Sequence, residues 1–482
     1  MEWWHYLLIG VGALVILFFA IILIRALAFK PKKGVEIDQT EITFDKDGAV
    51  KGLSELIKCR TISYVNSSLE DNKEFEKLVN KLPELYPNVC KTCELKRFDG
   101  RALLYRWKGK SPDHPTVLMS HYDVVPVDET KWEHPPFSGE VIDGVLWGRG
   151  ALDTKVTMNA ALFSADTLIS QGFIPERDVY FAFSGGEEIS NDGALNIVNY
   201  FESIGVEPEL VLDEGGAVVQ NVFPGVKEPC GLIGVAEKGM IDAKYTVKSS
   251  GGHASAPKPG SPVVVLSETC CKLEKHPFKS RISKPVLDMF DTLGRHSNFV
   301  FKLIFANLWL FKGVLDMICK KSGGEINALV RTTMAFTQLK GSDAANVIPT
   351  EAVMVSNMRL NPGDTVDSAL KYLNKTVNDN RVEISAIMSN NPSRISRIDC
   401  DGYDRVAKAI VSTWKGTVVA PYLMVQCSDS RHYGKISDRV YRFSAMDLTT
   451  EERATIHGNN ERIRLDSLYR SVEFYIRLLK QC

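Results

Sequence analysis

The sequence has almost no net charge, because 58 basic residues stand against 59 acidic ones and leave a net charge of -1 over 482 residues. Nucleic-acid binding and broad adhesion to an anionic surface depend on an excess of positive charge, so neither is indicated. The sequence also lacks a second Cys-x-x-Cys pair beside Cys90 and Cys93, which argues against a zinc knuckle. Scattered and mostly reduced thiols are expected instead.

Long apolar runs are scarce, with one exception at the N-terminus. Every residue from Leu7 to Ile24 is apolar or glycine, which is about the length that crosses a bilayer. Trp3 and Trp4 precede the run and basic residues follow it, as at the two interfaces of a membrane span. No basic residue precedes it, unlike in a secretory signal peptide. We predict a transmembrane anchor over residues 5–27 and a tether over 28–43, with a cleaved signal peptide as the alternative.

The side of the membrane that the body occupies is indicated by two opposing features. The basic residues after the anchor favour a cytosolic body by the positive-inside rule. The sequons at Asn66 and Asn374 suit a lumenal body, although such short motifs often arise by chance. The cytosolic side is therefore preferred, and the lumenal side stays open.

The rest of the chain has the pattern of an α/β body with an insert. Short apolar runs at 116–119, 179–183 and 210–212 alternate with longer amphipathic segments such as 155–171. This alternation favours a mainly parallel sheet covered by helices. Near Gly239 the order changes to strand, helix, strand, strand, helix, strand, which is ferredoxin-like. We predict a catalytic domain over 44–236 and 393–482, and an inserted α+β lid or dimerisation domain over 237–392.

One segment of the predicted insert is unusually apolar. Residues 299–318 are rich in large apolar side chains, interrupted by Lys302, Lys312 and Asp316. These charges argue against a second membrane span. The segment is either a core helix of an enlarged insert or an apolar surface for a lipid-like substrate or for the membrane.

Acidic and imidazole side chains follow several of the predicted strands. The five segments concerned are Ser120–Pro126, Trp147–Lys155, Ser184–Glu188, Leu212–Gly216 and Ile456–Glu461. Taken alone, His121 is an ordinary strand-end residue and Asp153 an ordinary helix cap. The adjacent Glu187 and Glu188 are harder to explain, because like charges repel unless a cation or a proton is present. Because parallel strands end at one edge of a sheet, we expect these side chains to converge.

Such a cluster has the composition of a metal site. Nitrogen and oxygen ligands without thiolate favour zinc, with cobalt or manganese as substitutes. Two imidazoles and three carboxylates, one of them shared, are enough for two ions. The second carboxylate of the Glu187–Glu188 pair can then accept a proton from an activated water.

In this order, the five segments resemble the aminoacylase and carboxypeptidase family of co-catalytic zinc metallopeptidases. The similarity runs from about Val50 to the C-terminus and is closest to the carboxypeptidase S branch, which includes N-fatty-acyl-amino-acid synthase/hydrolases. The stretch His121–Pro126, followed by Pro135–Phe137 and Gly148–Gly150, is specific for that branch. The resemblance implies two Zn²⁺ per chain and a small-molecule amide or peptide substrate with a free carboxylate.

The resemblance also implies a role for individual residues. The implied metal ligands are His121, Asp153, Glu188, Asp213 and His457. Among them Asp153 bridges the two metals, and one imidazole binds each. Asp123 resembles the aspartate that fixes the tautomer of His121. Glu187 resembles the general base.

The insert and the loop after it carry three further matches and one departure. His253 resembles a lid histidine that contacts the tetrahedral intermediate, often across a homodimer interface, so it is expected to stabilise the oxyanion. Asn346 and Arg359 match a lid asparagine and arginine, and Arg359 is expected to bind the substrate carboxylate. Residues 427–433 lack the glycine pair of relatives but keep Arg431, a further candidate for substrate binding.

Two classes of function follow from these features. The first is a hydrolase that cleaves, or by reversal forms, the amide bond of N-acyl amino acids, including long-chain fatty acyl ones. Its alternative within the same class is a carboxypeptidase acting on small peptides. The second class is a membrane-tethered binding protein without catalysis, which would be expected to lack a ligand or the base, and neither is missing.

Overall fold

The computed structural model describes residues 2–221 and 223–482. The helices described are α1 (Trp3–Ala28), α2 (Lys46–Ile57), α3 (Asn72–Leu85), α4 (Pro87–Thr92), α5 (Lys155–Ser170), α6 (Gly193–Ser203), α7 (Pro262–Lys275), α8 (Lys284–His296), α9 (Phe299–Ala306), α10 (Leu308–Ser322), α11 (Gly324–Val330), α12 (Val366–Val377), α13 (Asp401–Thr413), α14 (Thr450–Arg453) and α15 (Leu465–Leu479). The strands are β1 (Glu94–Phe98), β2 (Ala102–Trp107), β3 (Ser111–His121), β4 (Val141–Ile142), β5 (Val145–Trp147), β6 (Arg177–Ser184), β7 (Leu210–Val219), β8 (Cys230–Glu237), β9 (Gly239–Lys248), β10 (Gly252–His253), β11 (Thr333–Lys340), β12 (Val347–Ile348), β13 (Glu351–Leu360), β14 (Val382–Asn390), β15 (Val418–Met424), β16 (Val440–Leu448) and β17 (Arg462–Arg464).

The larger sheet has eight strands in the order β1-β2-β6-β3-β7-β16-β8-β15. The pairs β6–β3, β3–β7, β7–β16 and β8–β15 are parallel, whereas β1–β2 and β2–β6 are antiparallel. Parallel strands are usually covered on both faces, and β6 is buried over nearly its whole length. The predicted mainly parallel sheet is confirmed. Its consequence is that β3, β6 and β7 end side by side.

Helices cover both faces of this sheet. On one face, α5 and α15 pack against each other and enclose a core that contains Phe181, Leu212 and Tyr475. On the other face, α6 contributes Ile197 and Phe201 to a second core. The last helix, α15, packs on the larger body.

The smaller sheet has four antiparallel strands in the order β11-β13-β9-β14. Along the chain its elements run β9, α7, β11, β13, α12, β14, with the two-residue strand β12 before β13. Helices α7 and α12 cover one face, where Leu266 and Leu373 meet Tyr245. Order and pairing are those of the ferredoxin-like lid that the sequence predicts.

Helices α8 to α11 fall within the predicted insert but pack elsewhere. Helix α8 lies against β15 of the larger sheet, and its apolar stripe consists of Val286, Met289, Phe290 and Leu293. This spacing forms one helix face, and it shares a core with Ala420 and Leu423 of the sheet. The segment predicted as one domain over 237–392 thus has two parts, because the edge strand β15 offers an apolar face that α8 covers.

The apolar segment 299–318 forms α9 and most of α10. Within α10 the one buried residue is Cys319, whereas Trp309 and Met317 are 58% and 63% exposed. The interpretation as a core helix is therefore wrong for α10, which leaves its apolar face uncovered.

Helix α1 is long and apolar enough to cross a membrane, and a signal sequence would satisfy the same criterion. Its side chains are mostly exposed, except near its C-terminal end, where Ile22 and Ala26 are buried. There it packs against α9.

Candidate metal centre

Three neighbouring parallel strands bring their carboxyl ends together. Strand β3 ends at His121, β6 leads directly into Gly185–Glu188, and β7 carries Asp213 and Glu214. Since β3 lies between β6 and β7, His121 is flanked by acidic residues from both sides. The arrangement follows from the parallel order of the strands.

The turn before the two glutamates depends on its glycines. A Cβ atom at Gly185 would lie 2.7 Å from the ring of Tyr122, and one at Gly186 would lie 1.7 Å from Asn191 Nδ2. Separations this short are not tolerated, so a larger residue at either position would displace the turn.

Asp123 contacts the ring of His121 and the backbone of both Glu187 and Glu188. It is fully buried, and its Oδ1 lies 3.3 Å from His121 Nδ1. It accepts hydrogen bonds from Ser63 Oγ at 2.5 Å and from the backbone N–H groups of Glu187 and Glu188 at 3.2 Å each. A carboxylate at Nδ1 keeps the proton there and leaves Nε2 available for a metal. The geometry supports the predicted role of Asp123 and adds the orientation of both glutamates to it.

Asp153 faces both imidazoles, one with each carboxylate oxygen. Its Oδ1 lies 3.0 Å from His121 Nε2, and its Oδ2 lies 3.0 Å from His457 Nε2. His457 Nε2 is also 3.2 Å from Glu188 Oε2. The φ angle of His457 is +57°, an uncommon conformation for a residue with a Cβ that occurs preferentially at functional sites.

Glu461 holds the turn that presents Asp153. It is fully buried and accepts hydrogen bonds from the backbone N–H groups of Gly150, Leu152 and Asp153 at 3.1, 2.7 and 3.0 Å. Arg149 Nη1 donates to it at 2.7 Å. No role for Glu461 is predicted from the sequence, in which its position at the end of the last motif segment is the one signal.

The structure does not bring Asp213 into the cluster, and this corrects the predicted ligand set. The carboxylate of Asp213 accepts the N–H of Ser430 at 3.0 Å, whereas Glu214 Oε1 lies 3.4 Å from His121 Nε2. Successive side chains of a strand point to opposite faces, so the two neighbours cannot both face the cluster. Glu214 takes the position predicted for Asp213.

Glu187 stands beside the imidazole that Glu214 contacts. Ligand atoms of His121, Glu187 and Glu214 all lie within 4.8 Å of one another. Burial raises the pKa of Glu187 well above its usual range, and the charges of Asp429 and Glu214 add to this against the opposing effect of His121. Burial likewise raises the pKa of Glu214 to about 8. A carboxylate with a raised pKa is suited to accepting and returning a proton.

The excess of carboxylates also affects the imidazoles. Hydrogen bonds with Asp153 and Glu188 raise the pKa of His457 to about 10. Burial opposes charge on His121, but the charge of Glu214 and the hydrogen bonds with Asp123 and Asp153 outweigh it, and its pKa lies well above the ordinary value. Surroundings that favour a proton on both rings favour a metal cation for the same electrostatic reason.

The spacing of these atoms fits a pair of zinc ions. Zinc binds nitrogen and oxygen at about 2.0–2.2 Å, which puts two tetrahedral ligand atoms about 3.4 Å apart. The four contacts that His121 Nε2 and His457 Nε2 make with Asp153, Glu188 and Glu214 measure 3.0–3.4 Å. One set would be His121, Asp153 and Glu214, and the other His457, Asp153 and Glu188.

Comparison with known proteins agrees with this centre. The profile of "Peptidase family M20/M25/M40" matches residues 117–481. The chain belongs to this family. Metal-dependent hydrolysis is therefore its activity, and the interpretation as a non-catalytic binding protein is set aside.

Two curated M20 relatives and one solved structure illustrate the likeness. "Probable carboxypeptidase S-like 2" of Dictyostelium discoideum is 37% identical over 87% of this chain and 82% of its own. "N-fatty-acyl-amino acid synthase/hydrolase PM20D1" of Xenopus tropicalis is 36% identical over 89% of this chain and 85% of its own. The M20 family metallo-carboxypeptidase Sso-CP2 of Sulfolobus solfataricus superposes with a TM-score of 0.64 at 20% identity, covering 90% of this chain and 98% of that one, which supports the fold.

Two predicted lid residues lie together but apart from the M20 metal cluster. His253 pairs with Val347 across the β10–β12 ladder, next to Asn346. Both are exposed, and the backbone oxygen of Asn346 accepts the N–H of Ala254 at 3.0 Å. Neither lines the cavity at the cluster. Their roles in catalysis stay predictions.

The two predicted arginines lie nearer to the cluster. Arg359 Nη1 lies 3.4 Å from the sulfur of Cys427, and Cys427 lines the cavity. Arg431 Nη1 donates to the backbone oxygen of Ser428 at 3.0 Å. Asp429 lies in the same loop as Cys427 and Arg431, and its burial raises the pKa of its carboxyl to about 6. The loop that departs from relatives therefore borders the cluster.

A cavity of about 640 Å³ extends from the cluster into the body. At its polar end the lining includes Asp153, Glu187, Glu188, Glu214 and His457. At its other end the lining comes from α8 to α11 and includes Phe290, Phe305, Leu315 and Leu329. The volume lies within the range of about 300–1,000 Å³ that is typical of small-molecule sites. We call the second part the apolar arm.

Proposed function

We propose that this M20 hydrolase is a two-zinc amidohydrolase that cleaves, or by reversal forms, the amide bond of N-acyl amino acids, including those with long fatty acyl chains. The observation that carries the proposal is the apolar arm, because the cavity that contains the metal cluster is also lined by apolar side chains of α8 to α11, among them Phe290, Phe305 and Leu315. A hydrocarbon chain would gain about 0.8 kcal/mol for each CH₂ buried there.

The metal ligands in this proposal are His121, Asp153, Glu188, Glu214 and His457. A zinc pair, when bound, supplies positive charge that polarises the scissile carbonyl and lowers the pKa of water to about 7. Asp153 holds the two sites at a fixed separation because its two oxygens face different imidazoles. Asp123 and Glu461 keep His121 and Asp153 in place.

Glu187 is the general base. It takes the proton of the attacking water and returns it to the nitrogen of the leaving amino acid. Burial raises the pKa of Glu187, which makes its carboxylate a better proton acceptor than an exposed one. Glu188 contacts His457, so we assign it as a metal ligand and not as the proton acceptor.

The free carboxylate of the substrate is assigned to Arg359, which lies beside the cavity wall at Cys427. A guanidinium presents two parallel donors to a carboxylate. Arg431 and Asn346 are further candidates for binding. His253 would reach a metal cluster in a homodimer formed through the lid sheet, where it would stabilise the oxyanion.

We further propose that α1 is retained as a single-pass anchor. Its lack of a basic N-terminal region and its contact with α9 support retention. The basic residues that follow it favour a cytosolic body.

A carboxypeptidase acting on small peptides is the second candidate, supported by the 37% identity to a probable carboxypeptidase S-like protein. The same centre can cleave either kind of amide. The two candidates differ in what fills the apolar arm: a hydrocarbon chain, or the side chains of a peptide.

The experiment compares substrates on the purified full chain, loaded with zinc in detergent. Release of free amino acid is measured from N-acetyl and long-chain N-acyl amino acids and from dipeptides. We expect the highest kcat/KM for the long-chain substrates. Glu187→Gln should lower turnover about 10²–10⁴-fold with zinc content unchanged, whereas the exposed Glu176→Gln should have no effect. Highest kcat/KM on dipeptides would select the carboxypeptidase, and full activity of Glu187→Gln would reject the assigned base.

A further inference from the structure

The exposed face of α9 and α10 is rich in large apolar side chains. Its six most exposed large apolar side chains are Phe299, Val300, Trp309, Val314, Met317 and Ile318. On α10, Trp309, Val314, Met317 and Ile318 fall on one side of the helix. We call these six side chains the apolar face. An exposed apolar patch of this kind marks an interaction site with another apolar surface.

Helix α1 joins the apolar face directly. The rings of Phe18 and Trp309 meet edge to face with centroids 6.1 Å apart. Asn307 Nδ2 donates to Ile22 O at 3.1 Å, and Arg25 Nη2 donates to Ala306 O at 2.9 Å. The turn between α9 and α10 is therefore fastened to the C-terminal third of α1.

This attachment sets the depth of the apolar face if α1 spans a bilayer. The apolar run of α1 ends at Ile24, and a helix rises about 1.5 Å per residue. Phe18 therefore lies about 9 Å inside the end of the apolar run. Its partner Trp309 is brought to the same level, where an amphipathic helix buries its apolar side in a membrane interface.

The charges around the apolar face agree with this position. Lys320 and Lys321 end α10 and are exposed, and Lys30 and Lys32 follow α1 on the same side of its apolar run. Basic residues at the border of an apolar helix face interact with lipid headgroups.

The opposite side of these helices lines the apolar arm. Phe305 of α9, Leu315 of α10 and Leu329 of α11 face the cavity. Ile326 also lines the cavity and is nevertheless 41% exposed. Ile326 belongs to α11, which follows directly after the helix that carries most of the apolar face.

We propose that the apolar face of α9 and α10 lies in the membrane interface and that the apolar arm opens into it at Ile326, so that an amphiphilic N-acyl amino acid passes from the bilayer to the metal cluster. The partner is the lipid leaflet into which α1 is inserted. The inference rests on the proposed function and on retention of α1.

This route has a measurable consequence. A long acyl chain partitions into the bilayer, and its transfer to water costs about 0.8 kcal/mol for each CH₂ group. An opening in the membrane avoids that step. The rate of hydrolysis then follows the mole fraction of substrate in the bilayer and does not follow its concentration in water.

The test uses the full chain in phospholipid vesicles. Trp309 fluorescence, taken as the difference between the full chain and Trp309→Phe, is measured with and without lipids brominated along the acyl chain. We expect quenching of this difference. An unquenched Trp309 would overturn the proposal, whether the face is bare or covered by a second copy, and this measurement does not depend on a destabilising variant.

The second readout is hydrolysis in the same vesicles. The pair Met317→Gln and Ile318→Gln should lower kcat/KM for a long-chain N-acyl amino acid about tenfold, and should change it less than about twofold for a water-soluble N-acetyl amino acid. The control pair Ile174→Gln and Ile204→Gln, which is equally exposed on the catalytic body, should change neither. An unchanged long-chain rate, or equal losses on both substrates, would overturn the proposal.

The outcome also separates this inference from the proposed function. A wild-type chain that releases no amino acid from any N-acyl substrate rejects the proposed function, while the fluorescence still reports on the apolar face. A wild-type chain that hydrolyses long-chain substrate at a rate set by its aqueous concentration keeps the proposed function and rejects the membrane route.

Discussion

The two ends of the cavity are built in different ways. The polar end takes its side chains from five distant segments between His121 and Glu461, and nearly every carboxylate in it is held by a defined donor. The apolar arm is built largely from one stretch, α8 to α11, together with a few side chains of the sheet. The side chains of the metal cluster are thus held mainly by the larger sheet and its loops, whereas the apolar wall of the cavity comes mainly from helices outside that sheet.

The largest effect is expected at the polar end, from Glu461→Leu. This change leaves Arg149 buried without its partner and three N–H groups without an acceptor. Breaking such a buried pair should lower the free energy of unfolding by about 3–5 kcal/mol and weaken zinc binding about 10–100-fold. Thermal unfolding and zinc titration of the full chain measure these quantities.

The exposed pair Lys110–Glu176 is the matched control, because both side chains are more than half exposed. Glu176→Leu should cost less than about 1 kcal/mol. The double change Arg149→Met with Glu461→Leu should recover only the part of the stability that the unpaired Arg149 charge costs, because the three N–H groups still lack an acceptor, and should leave zinc binding weak. Normal zinc affinity in Glu461→Leu would contradict the role given to this residue.

The next effect distinguishes two neighbours on β7. Glu214→Gln should weaken zinc binding about 100-fold, because it removes a charged oxygen that faces His121. Asp213→Asn should weaken it less than about tenfold, because Asp213 faces Ser430. Zinc titration against a competing chelator compares the two variants, and the reverse order would restore Asp213 as the ligand.

At the apolar arm the effect should be smaller and selective. Leu315→Trp fills part of the arm and should lower kcat/KM about tenfold for long-chain N-acyl substrates while leaving N-acetyl substrates unchanged. Leu287→Trp, at an exposed position of α8, is the matched control. Equal losses on short and long substrates would mean that the two ends are not separable.

A dependence of stability on pH is expected at the attachment of α11. Lys238 is fully buried and donates to the backbone oxygens of Ala328 and Arg331 at 2.8 Å each. Burial, helped by the charge of Arg359, lowers the pKa of Lys238 to about 7. In the unfolded chain the pKa of a lysine amine is about 10.4. At a pH between these two pKa values the unfolded state binds more protons than the folded state, so the free energy of unfolding rises with pH.

The measurement is thermal unfolding of wild type and Lys238→Met from pH 7 to pH 10. Relative to the variant, the wild type should gain at most about 1.4 kcal/mol per pH unit, and the gain should cease below pH 7. If the difference in unfolding free energy between the wild type and Lys238→Met stays constant over this range, the result contradicts an amine that is largely neutral in the folded state.

Much of the polar end could be predicted from the sequence, because its residues follow apolar runs that are recognisable as strands. His121 and Glu188 come together for this reason. Asp213 and Glu214 could not be told apart, since the face that each occupies depends on the register of β7. The role of Glu461 could not be predicted, because the backbone N–H groups that it binds lie more than 300 residues away in the sequence.

The apolar end could be predicted much less well. The segment 299–318 was recognisable as apolar, but its burial depends on α1 and on β15, which lie far from it in the sequence. The ferredoxin-like order was readable from the pattern of strands and helices. The position of α8 to α11 outside this unit, against β15, could not be predicted, because the lid sheet and β15 offer the same kind of apolar surface.

The most direct test of the account is the dependence of kcat/KM on acyl length, measured on the zinc-loaded full chain with N-acyl amino acids from acetyl to long fatty acyl. The apolar arm predicts a rise of about fourfold for each added CH₂, which levels off when the arm is filled. A value that is flat or falls with acyl length would contradict the central claim that the arm selects the substrate.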